Sequence, residues 1–460
     1  MENISPNDYI NMAASLAAAR ARGERPLACT HTYGCQGNVS DGERINGMLA
    51  AMGYGFTDEP ENADLILYNT CAVREHAEDR VFGNVGALKH IKKRNPDTVI
   101  ALCGCMVQQE HVAERLYKSY PYVSLVFGTH VIHRLPELLY KVLSGGRRVY
   151  ELSCDDKSVH EGMPVRRDGS VKAWLPIMYG CDNFCSYCVV PYVRGRERSR
   201  SEESIVSEFE DILSQGYKDI TLLGQNVNSY MRKETGSSKF PELMLKLGGY
   251  GGEYWLRFMT SHPKDCSPEL IDAMARSEHA AHHLHLPFQS GDNEILSRMN
   301  RRYTREKYLS LVEMAREKIP DISLTSDVIV GFPGETDEQF RNTLDLIRQV
   351  GFTSLFTFIY SKRRGTPAAE MDDPISDKEK SDRMGELLKL QESIAAERCA
   401  GMNGTVQKVL CEKELSEGVL SCRTSGGIIV EAKGEKELIG KFCNAEITEA
   451  RNWILRGKII

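Results

Sequence analysis
The chain has 460 residues, too long for one ordinary domain and suited to two or three. A net charge of -6 excludes a uniformly basic nucleic-acid binder but leaves room for a local basic site, and 41% hydrophobic residues suffice for real cores. No apolar run approaches the ~18 residues of a membrane span. The opening "MENISPNDYINMAASLAAARARGERP" is acidic before it is basic, the reverse of a secretory signal. A cytoplasmic protein is expected, its start a loose helix or a frayed end.

In chain order, residues 26–145 read as a first domain after an N-terminal extension, 1–25. Its strands are "LACTHTYGC", "ADLILYNTC", "TVIALCGC" and "SLVFG". Helical patterns lie between, among them "EDRVFGNVGALKHIKKRNP" and "SDGERINGMLAAMG", the latter with Ser40 or Asp41 as N-cap and Gly53 as stop. Such alternation implies an open parallel α/β sheet. A polar linker, 146–166, leads to a second domain, 167–400. Here "AWLPIM", "DITLLG", "WLRFMT", "HLHLP", "SLTSDVIV" and "SLFTFIY" alternate with helices such as 268–276, 304–318 and 337–349, and a charged amphipathic helix, 377–399, closes the segment. Six β/α units make a partial (β/α)6 barrel, since a full barrel uses eight. Residues 401–460 change character, with short strands between glycine turns that imply a small all-β barrel.

The fourteen cysteines of a large cytosolic chain are expected to be buried, reactive or metal-binding rather than disulfide-bonded. Cys181, Cys185 and Cys188 form a Cx3CxxC run just after the first barrel strand, where barrels place active-site loops. Structural zinc takes four ligands, usually as two CxxC pairs, and this trio stands alone. Three thiolates on a 4Fe-4S cluster leave one iron without a protein ligand and open to substrate. A second group, Cys35, Cys71 and Cys105, is scattered in sequence, but each member ends an expected strand, and open parallel sheets bind ligands beyond those ends. Three unrelated buried thiols are the competing reading, and residue type alone does not exclude Cys29 or Cys103.

Cx3CxxC on the first loop of a partial barrel resembles the radical S-adenosylmethionine (SAM) superfamily, and Tyr187 between the last two cysteines fits its pattern. "LLGQNVNSY", with Gly224, Gln225 and Asn226, resembles the stretch that meets the SAM amino group there. "SDVIVGFPGE", with Ser326 and Gly331, ends the fifth strand, and glycine permits close backbone approach. His285 in "LHLP" and the nearby Gln289 are placed on the same rim as SAM or substrate contacts, while His282 and His283 are expected at the surface.

Together the strand-end trio, the barrel and the small β domain resemble the radical SAM methylthiotransferase family from about Pro26 onward, the last domain being TRAM-like. The resemblance implies two 4Fe-4S clusters, one on Cys35, Cys71 and Cys105 and one on Cys181, Cys185 and Cys188, with two SAM molecules consumed. It implies no catalytic residue beyond the cluster ligands, and as partners a low-potential electron donor and a sulfur carrier. "RFMTSHPKD", "LHLPFQSGDNEILSRMNRRYTREKY" and "YSKRRGTPAA" resemble the branch that methylthiolates C2 of N6-(dimethylallyl)adenosine next to the anticodon in tRNA. The alternatives are branches acting on threonylcarbamoyl adenosine of tRNA or on a ribosomal-protein aspartate. Arg194, Arg196, Arg198 and Arg200 are then candidates for backbone phosphates of the anticodon stem-loop or for the SAM carboxylate, the competing reading being a solvated face paired with Glu197, Glu202 and Glu203. Phe356, Phe358 and Tyr360 alternate along one strand and are expected in the core rather than as stacking faces.

Overall fold
A computed structural model describes residues 5–72, 75–146, 148–153, 159–167, 169 and 171–460. Contacts divide the chain into two units: Met1–Asp168 with Tyr179–Cys181 and Val189–Arg200, and Gly169–Met178 with Asp182–Cys188 and Ser201–Ile460.

In the first unit, β1 (Leu27–Thr32), β2 (Gly55–Phe56), β3 (Leu65–Thr70), β4 (Val99–Gly104), β5 (Leu125–Phe127) and β6 (Val149–Glu151) form one parallel sheet in the order β2-β1-β3-β4-β5-β6. Every residue of β3 and β4 is buried, as in a central parallel strand covered on both faces. Ile45, Met48 and Leu49 of the helix Gln36–Ala51 and Leu138, Leu139 and Val142 of the helix Leu135–Leu143 cover one face. Phe82, Val85, Val112 and Leu116 cover the other.

Three expectations are corrected here. The start of the chain is an ordered helix, Pro6–Arg20, closed by a Ser5–Asp8 capping box and seated against Leu135–Leu143 through Ala13 and Ala17. The helix expected to begin at Ser40 or Asp41 begins at Gln36, with Cys35 at its N-cap, and both polar residues are buried inside it; Gly53, at φ +83°, follows its end. Val149–Glu151, within the expected linker, is the sixth strand of the sheet. Of that linker, residues 147 and 154–158 lie outside the described residues, while Arg166 N–H donates to Glu43 O at 2.9 Å.

The chain continues through β7 (Lys172–Pro176) and the two-residue strands β8 (Met178–Tyr179) and β9 (Arg198–Ser199). In the second unit β7 is joined by β10 (Asp219–Leu223), β11 (Trp255–Phe258), β12 (His283–His285), β13 (Ser323–Val330) and β14 (Ser354–Ile359). β7, β10 and β11 pair in parallel, β12, β13 and β14 likewise, and a Leu256–Ala280 bridge joins the two runs into the open six-stranded partial barrel, with β7 and β14 at its edges. Ile220, Leu222, Leu256, Leu284, Leu324 and Val328 pack outward against helices such as Pro268–Arg276, Arg305–Lys318 and Asp337–Val350. Their alternate neighbours therefore line the interior.

β15 (Val406–Ser416), β16 (Val419–Thr424), β17 (Ile429–Lys433), β18 (Phe442–Arg451) and β19 (Ile454–Ile459) close a five-stranded barrel around Val409, Leu420, Val430 and Leu455. It sits on the end of the partial barrel where strands begin. Arg257, ion-paired to Asp219 at 2.8 Å, donates to Ser425 O at 2.5 Å and Thr424 O at 3.1 Å. Trp255 meets Phe442 edge-on, and Lys172 pairs with Glu412 at 2.8 Å. The opposite end, where strands run out into loops, is left to the site.

Candidate active site
Cys35, Cys71 and Cys105 each directly follow or lie just beyond β1, β3 and β4, three neighbouring strands of one sheet. The expected convergence at the carboxyl edge therefore has a geometric basis: Thr70 of β3 lies opposite Gly104 of β4, so Cys71 and Cys105 leave the sheet side by side. Glycine makes the approach possible. A Cβ on Gly34, at φ +119°, would fall 2.4 Å from Cys71 Cβ, and one on Gly104, at φ +97°, 2.3 Å from Thr70 O. Asn38 ties the floor together, donating to Asn69 Oδ1 at 3.2 Å and Thr70 O at 3.0 Å, with its own Oδ1 3.4 Å from Cys35 Sγ.

The guanidinium of Arg194 reaches into this trio. It donates to Cys105 Sγ at 3.1 Å and to Asp41 Oδ2 at 2.7 Å. Cys35 is the exposed member at its surface, although most of its thiol's surroundings are protein, and it is pushed down to about 5 by hydrogen bonding from Cys71, by the Arg194 charge and by the N–H groups of Asn38 and Gly37. Burial pushes the Cys105 thiol up, with Arg194 opposing it. Cys29 and Cys103 belong to the hydrophobic layers on opposite faces of the sheet, and burial raises both. They are core thiols.

The arginine cluster is corrected in part. Arg194 is bound as described, and Arg200, only 3% exposed, pairs with Glu161 at 3.4 Å, so neither presents its charge to a phosphate. Arg198 is half-buried, donates to Arg194 O at 3.4 Å, and lines a shallow cavity with Arg44, His130 and His133. Arg196 is exposed.

Cys181, in the first unit, is buried and donates its N–H to Gly195 O at 3.2 Å. Cys185 and Cys188 lie in the second unit on a loop that the partial barrel holds at several points. Asn300 donates to the carbonyls of Asn183 and Phe184 at 3.2 and 2.9 Å, Ser186 N–H to Met299 O at 3.0 Å, and Lys264 Nζ to Asn183 Oδ1 at 2.7 Å. Buried Arg301 donates to Cys185 Sγ at 3.3 Å and to Pro287 O at 2.8 Å. Tyr187 packs against the buried cluster that includes Ile329, Phe332 and Tyr360, as does Phe358.

The other expected residues gather where β10, β12 and β13 end. Gly224 follows β10 and abuts Met178, with half-buried Gln225 next to it. Asn226 donates to Asp265 Oδ2 at 2.7 Å, while its own Oδ1 is buried without a partner among the described residues. His285 Nδ1 lies 3.0 Å from Thr325 Oγ1 and its Nε2 3.6 Å from Asp327, and burial pulls the ring toward its neutral form. Gln289, at φ +64°, bridges to Val328. Gly331, at φ +71°, gives its N–H to Glu335 at 2.9 Å. Ser326 is fully buried, its hydroxyl donating to Leu286 O and accepting from Phe288 N–H, each at 2.8 Å, so it shapes the wall from behind. His282 lies near the surface beside Asp321, whereas His283, expected there too, is turned inward with Nε2 2.9 Å from Thr325 Oγ1.

Sequence reasoning missed Arg301, Asn38 and His262. His262 accepts Lys264 N–H at Nδ1, is held neutral by burial and by the Arg301, Lys264 and Arg302 charges, and has a buried Nε2 without a partner among the described residues. Only the folded chain brings them to the site; "NRRY" and "SHP" carry no spacing that marks them. Phe356, expected in the core, is 48% exposed.

The donor sets suit an iron–sulfur cluster. A cubane takes each of three thiolates on a different iron and leaves a fourth iron open, which matches a set of three cysteines. Arg194 and Arg301 place positive charge beside the buried sulfurs of Cys105 and Cys185.

Comparison with known proteins agrees with this geometry. Residues 175–347 match the Radical SAM superfamily, 28–128 the Uncharacterized protein family UPF0004 and 401–460 the TRAM domain. Superfamily membership carries with it the use of SAM and a 4Fe-4S cluster. Among solved structures, the fold resembles the radical S-adenosylmethionine methyltransferase TsrM from Kitasatospora setae, solved with cobalamin and a [4Fe-4S] cluster, with a TM-score of 0.56 at 16% identity over 83% of this chain and 80% of that one. The tRNA-2-methylthio-N(6)-dimethylallyladenosine synthase of Thermoanaerobacter sp. (strain X514) is 48% identical over 93% of this chain and 92% of its own length. That of Clostridium perfringens (strain 13 / Type A) is 47% identical over 95% and 98%. The chain belongs to the tRNA-2-methylthio-N(6)-dimethylallyladenosine synthase family.

Proposed function
We propose that this protein methylthiolates C2 of N6-(dimethylallyl)adenosine next to the anticodon of tRNA, giving 2-methylthio-N6-(dimethylallyl)adenosine. The observation that carries the reading is the identity of nearly half the residues with named synthases across almost the whole chain. Cys181, Cys185 and Cys188 would hold one 4Fe-4S cluster and Cys35, Cys71 and Cys105 a second. When bound, the first supplies the electron that cleaves SAM and the second the position from which sulfur is delivered. A C–H on an aromatic ring is neither acidic nor electrophilic, which is why radical chemistry suits this carbon.

The chain's own residues position and shield. Arg301 and Asn300 fix the Cys185 loop, Arg194 neutralises charge beside Cys105, and Asn226, Gln289, Gly331 and His285 form the rim offered to SAM and substrate. Arg196 is exposed, and with half-buried Arg198 it is the candidate of its cluster for meeting a phosphate. A low-potential electron donor and a sulfur carrier are the further partners. Among the described residues no helix is long and apolar enough to cross a membrane. A cytoplasmic location goes with the proposed tRNA substrate.

The test is anaerobic reconstitution, iron analysis, and mass spectrometry of an anticodon stem-loop carrying N6-(dimethylallyl)adenosine after incubation with SAM, inorganic sulfide and reductant. About eight irons per chain and a methylthio mass increment are expected, with Cys71→Ala and Cys185→Ala each losing about half the iron and all product. Four irons in the intact chain, or unmodified RNA, would refute it.

A further inference from the structure
Phe356 stands out on the interior wall of the partial barrel. The register of β12, β13 and β14 puts His285 opposite Thr325 and Asp327 opposite Phe356, and directly opposed residues of parallel strands share a face. That face is turned away from the helices, because Leu284, Leu324 and Val328 point into the helix-packed core. Yet Phe356 is 48% exposed, while Phe358, two residues on, packs against the same buried cluster as Tyr187 of the cysteine loop. At about 3.3 Å per residue, Phe356 lies roughly 7 Å along the strand from Phe358, one rung deeper beneath that loop. One edge of its surroundings is polar: the His285 ring meets it at 5.7 Å and 79°, and Asp327, with 29% of its side chain accessible, lies 3.6 Å from His285 Nε2. An open aromatic face bordered by an imidazole and a carboxyl fits a flat heteroaromatic ligand better than an aliphatic one.

Building on the function proposed above, we propose that Phe356 is the stacking platform for the target adenine once it is splayed from the anticodon loop, with Asp327 and His285 at the edge of the base. The N6–H of a dimethylallyl adenine is a single hydrogen-bond donor that a carboxylate oxygen at this edge can accept. Bases read outside a helix are held by stacking on aromatic rings together with hydrogen bonds to their edges. A ring one rung below the cysteine loop places the base within the barrel rather than on its surface.

A double-mutant cycle tests this. The dissociation constant of the stem-loop is measured with the reconstituted chain and SAM, for RNA carrying N6-(dimethylallyl)adenosine and for the same RNA with an abasic nucleotide there, in the unaltered chain, Phe356→Ala and Phe356→Tyr. Removing the base should weaken binding to the unaltered chain about 5- to 150-fold, the range for one stacked base. That base contribution should nearly vanish in Phe356→Ala and survive in Phe356→Tyr. A merely structural role would weaken both RNAs alike and preserve the ratio, which would overturn the proposal, as would equal binding of the two RNAs by the unaltered chain. Product formation by the unaltered chain separates the two levels: product without coupling removes the stacking role alone, and no product removes the methylthiolation reading with it.

Discussion

Replacing Arg194 with methionine should damage the protein twice. The guanidinium is 7% exposed, and so is its partner Asp41, with Nη2 and Oδ2 2.7 Å apart. Charge centres about 4 Å apart attract by about 4 kcal/mol at an effective dielectric of ~20. Methionine keeps the apolar bulk but leaves the Asp41 carboxylate buried and unpaired, and breaking a buried pair from one side costs about 3–5 kcal/mol. Arg194→Met with Asp41→Asn removes both charges and should recover most of that loss. Urea denaturation of the iron-free chain in reducing, anaerobic buffer gives the cycle without any contribution from bound iron. The second effect concerns Cys105, which loses a cation 3.1 Å from its sulfur, so the reconstituted variant should hold markedly less iron. A single variant less than about 1 kcal/mol destabilised, or a double variant no more stable than the single, would refute the buried-pair argument. Full iron loading would refute the counter-charge role.

Arg301→Leu removes the donor on Cys185 and on Pro287 O, and should reduce iron bound at that loop while leaving the Cys35 trio loaded, read as a fall toward half the iron per chain. Arg257→Ala leaves Asp219, 2% exposed, without its partner and frees the carbonyls of Thr424 and Ser425, so limited proteolysis should release the C-terminal barrel faster than in the unaltered chain; an unchanged digestion rate would show that Trp255 and Phe442 suffice to hold it. Burial pushes Glu335 up to about 7 despite Arg383 and the Gly331 N–H. Between about pH 4.5 and 7 the folded carboxyl keeps a proton that the unfolded one has lost, so this group's contribution is present at low pH and lost as pH rises through that window, by up to about 3 kcal/mol. Glu335→Gln should flatten the pH dependence of the denaturation midpoint between pH 5 and 7, and an unaltered slope would contradict it.

What was legible in the sequence follows from period and position. The strands of both sheets stood out as short apolar runs, and the cysteines ending them were visible because a parallel sheet puts its chemistry at one edge. β2 and β6 have two and three residues, too few to show a period, and were missed. The N-terminal helix was underestimated because its buried face is alanine, which contrasts weakly with its surroundings. Ser40 and Asp41 misled because cap-type residues were read as a cap. In fact they are buried polar groups of the site's floor, where Ser40 Oγ accepts from Arg44 at 3.2 Å and Asp41 binds Arg194. The arginine run misled in a similar way. A charge cluster in sequence states nothing about which members are folded inward, and Arg194 meets residues more than a hundred positions away.

The second unit shows the physical asymmetry that makes one end of a barrel reactive. Where the strands begin, Asp219, Arg257, Trp255 and Lys172 are all matched by partners, several of them in the C-terminal barrel. Where the strands end, Phe184, Thr260, Gln289 and Asn300 hold positive φ without being glycine, a conformation that costs about 1–3 kcal/mol each. In the same loops Ser186 Oγ, Asn226 Oδ1 and His262 Nε2 are buried without partners among the described residues, at about 1–3 kcal/mol apiece. A fold retains such groups only if the surrounding packing over-determines them, and the core of strand residues from Ile220 to Val330 packed under the outer helices does so. The strained backbone and the unsatisfied polar atoms thus concentrate in the loops at the carboxyl ends of the strands, while the opposite end is satisfied by the C-terminal barrel.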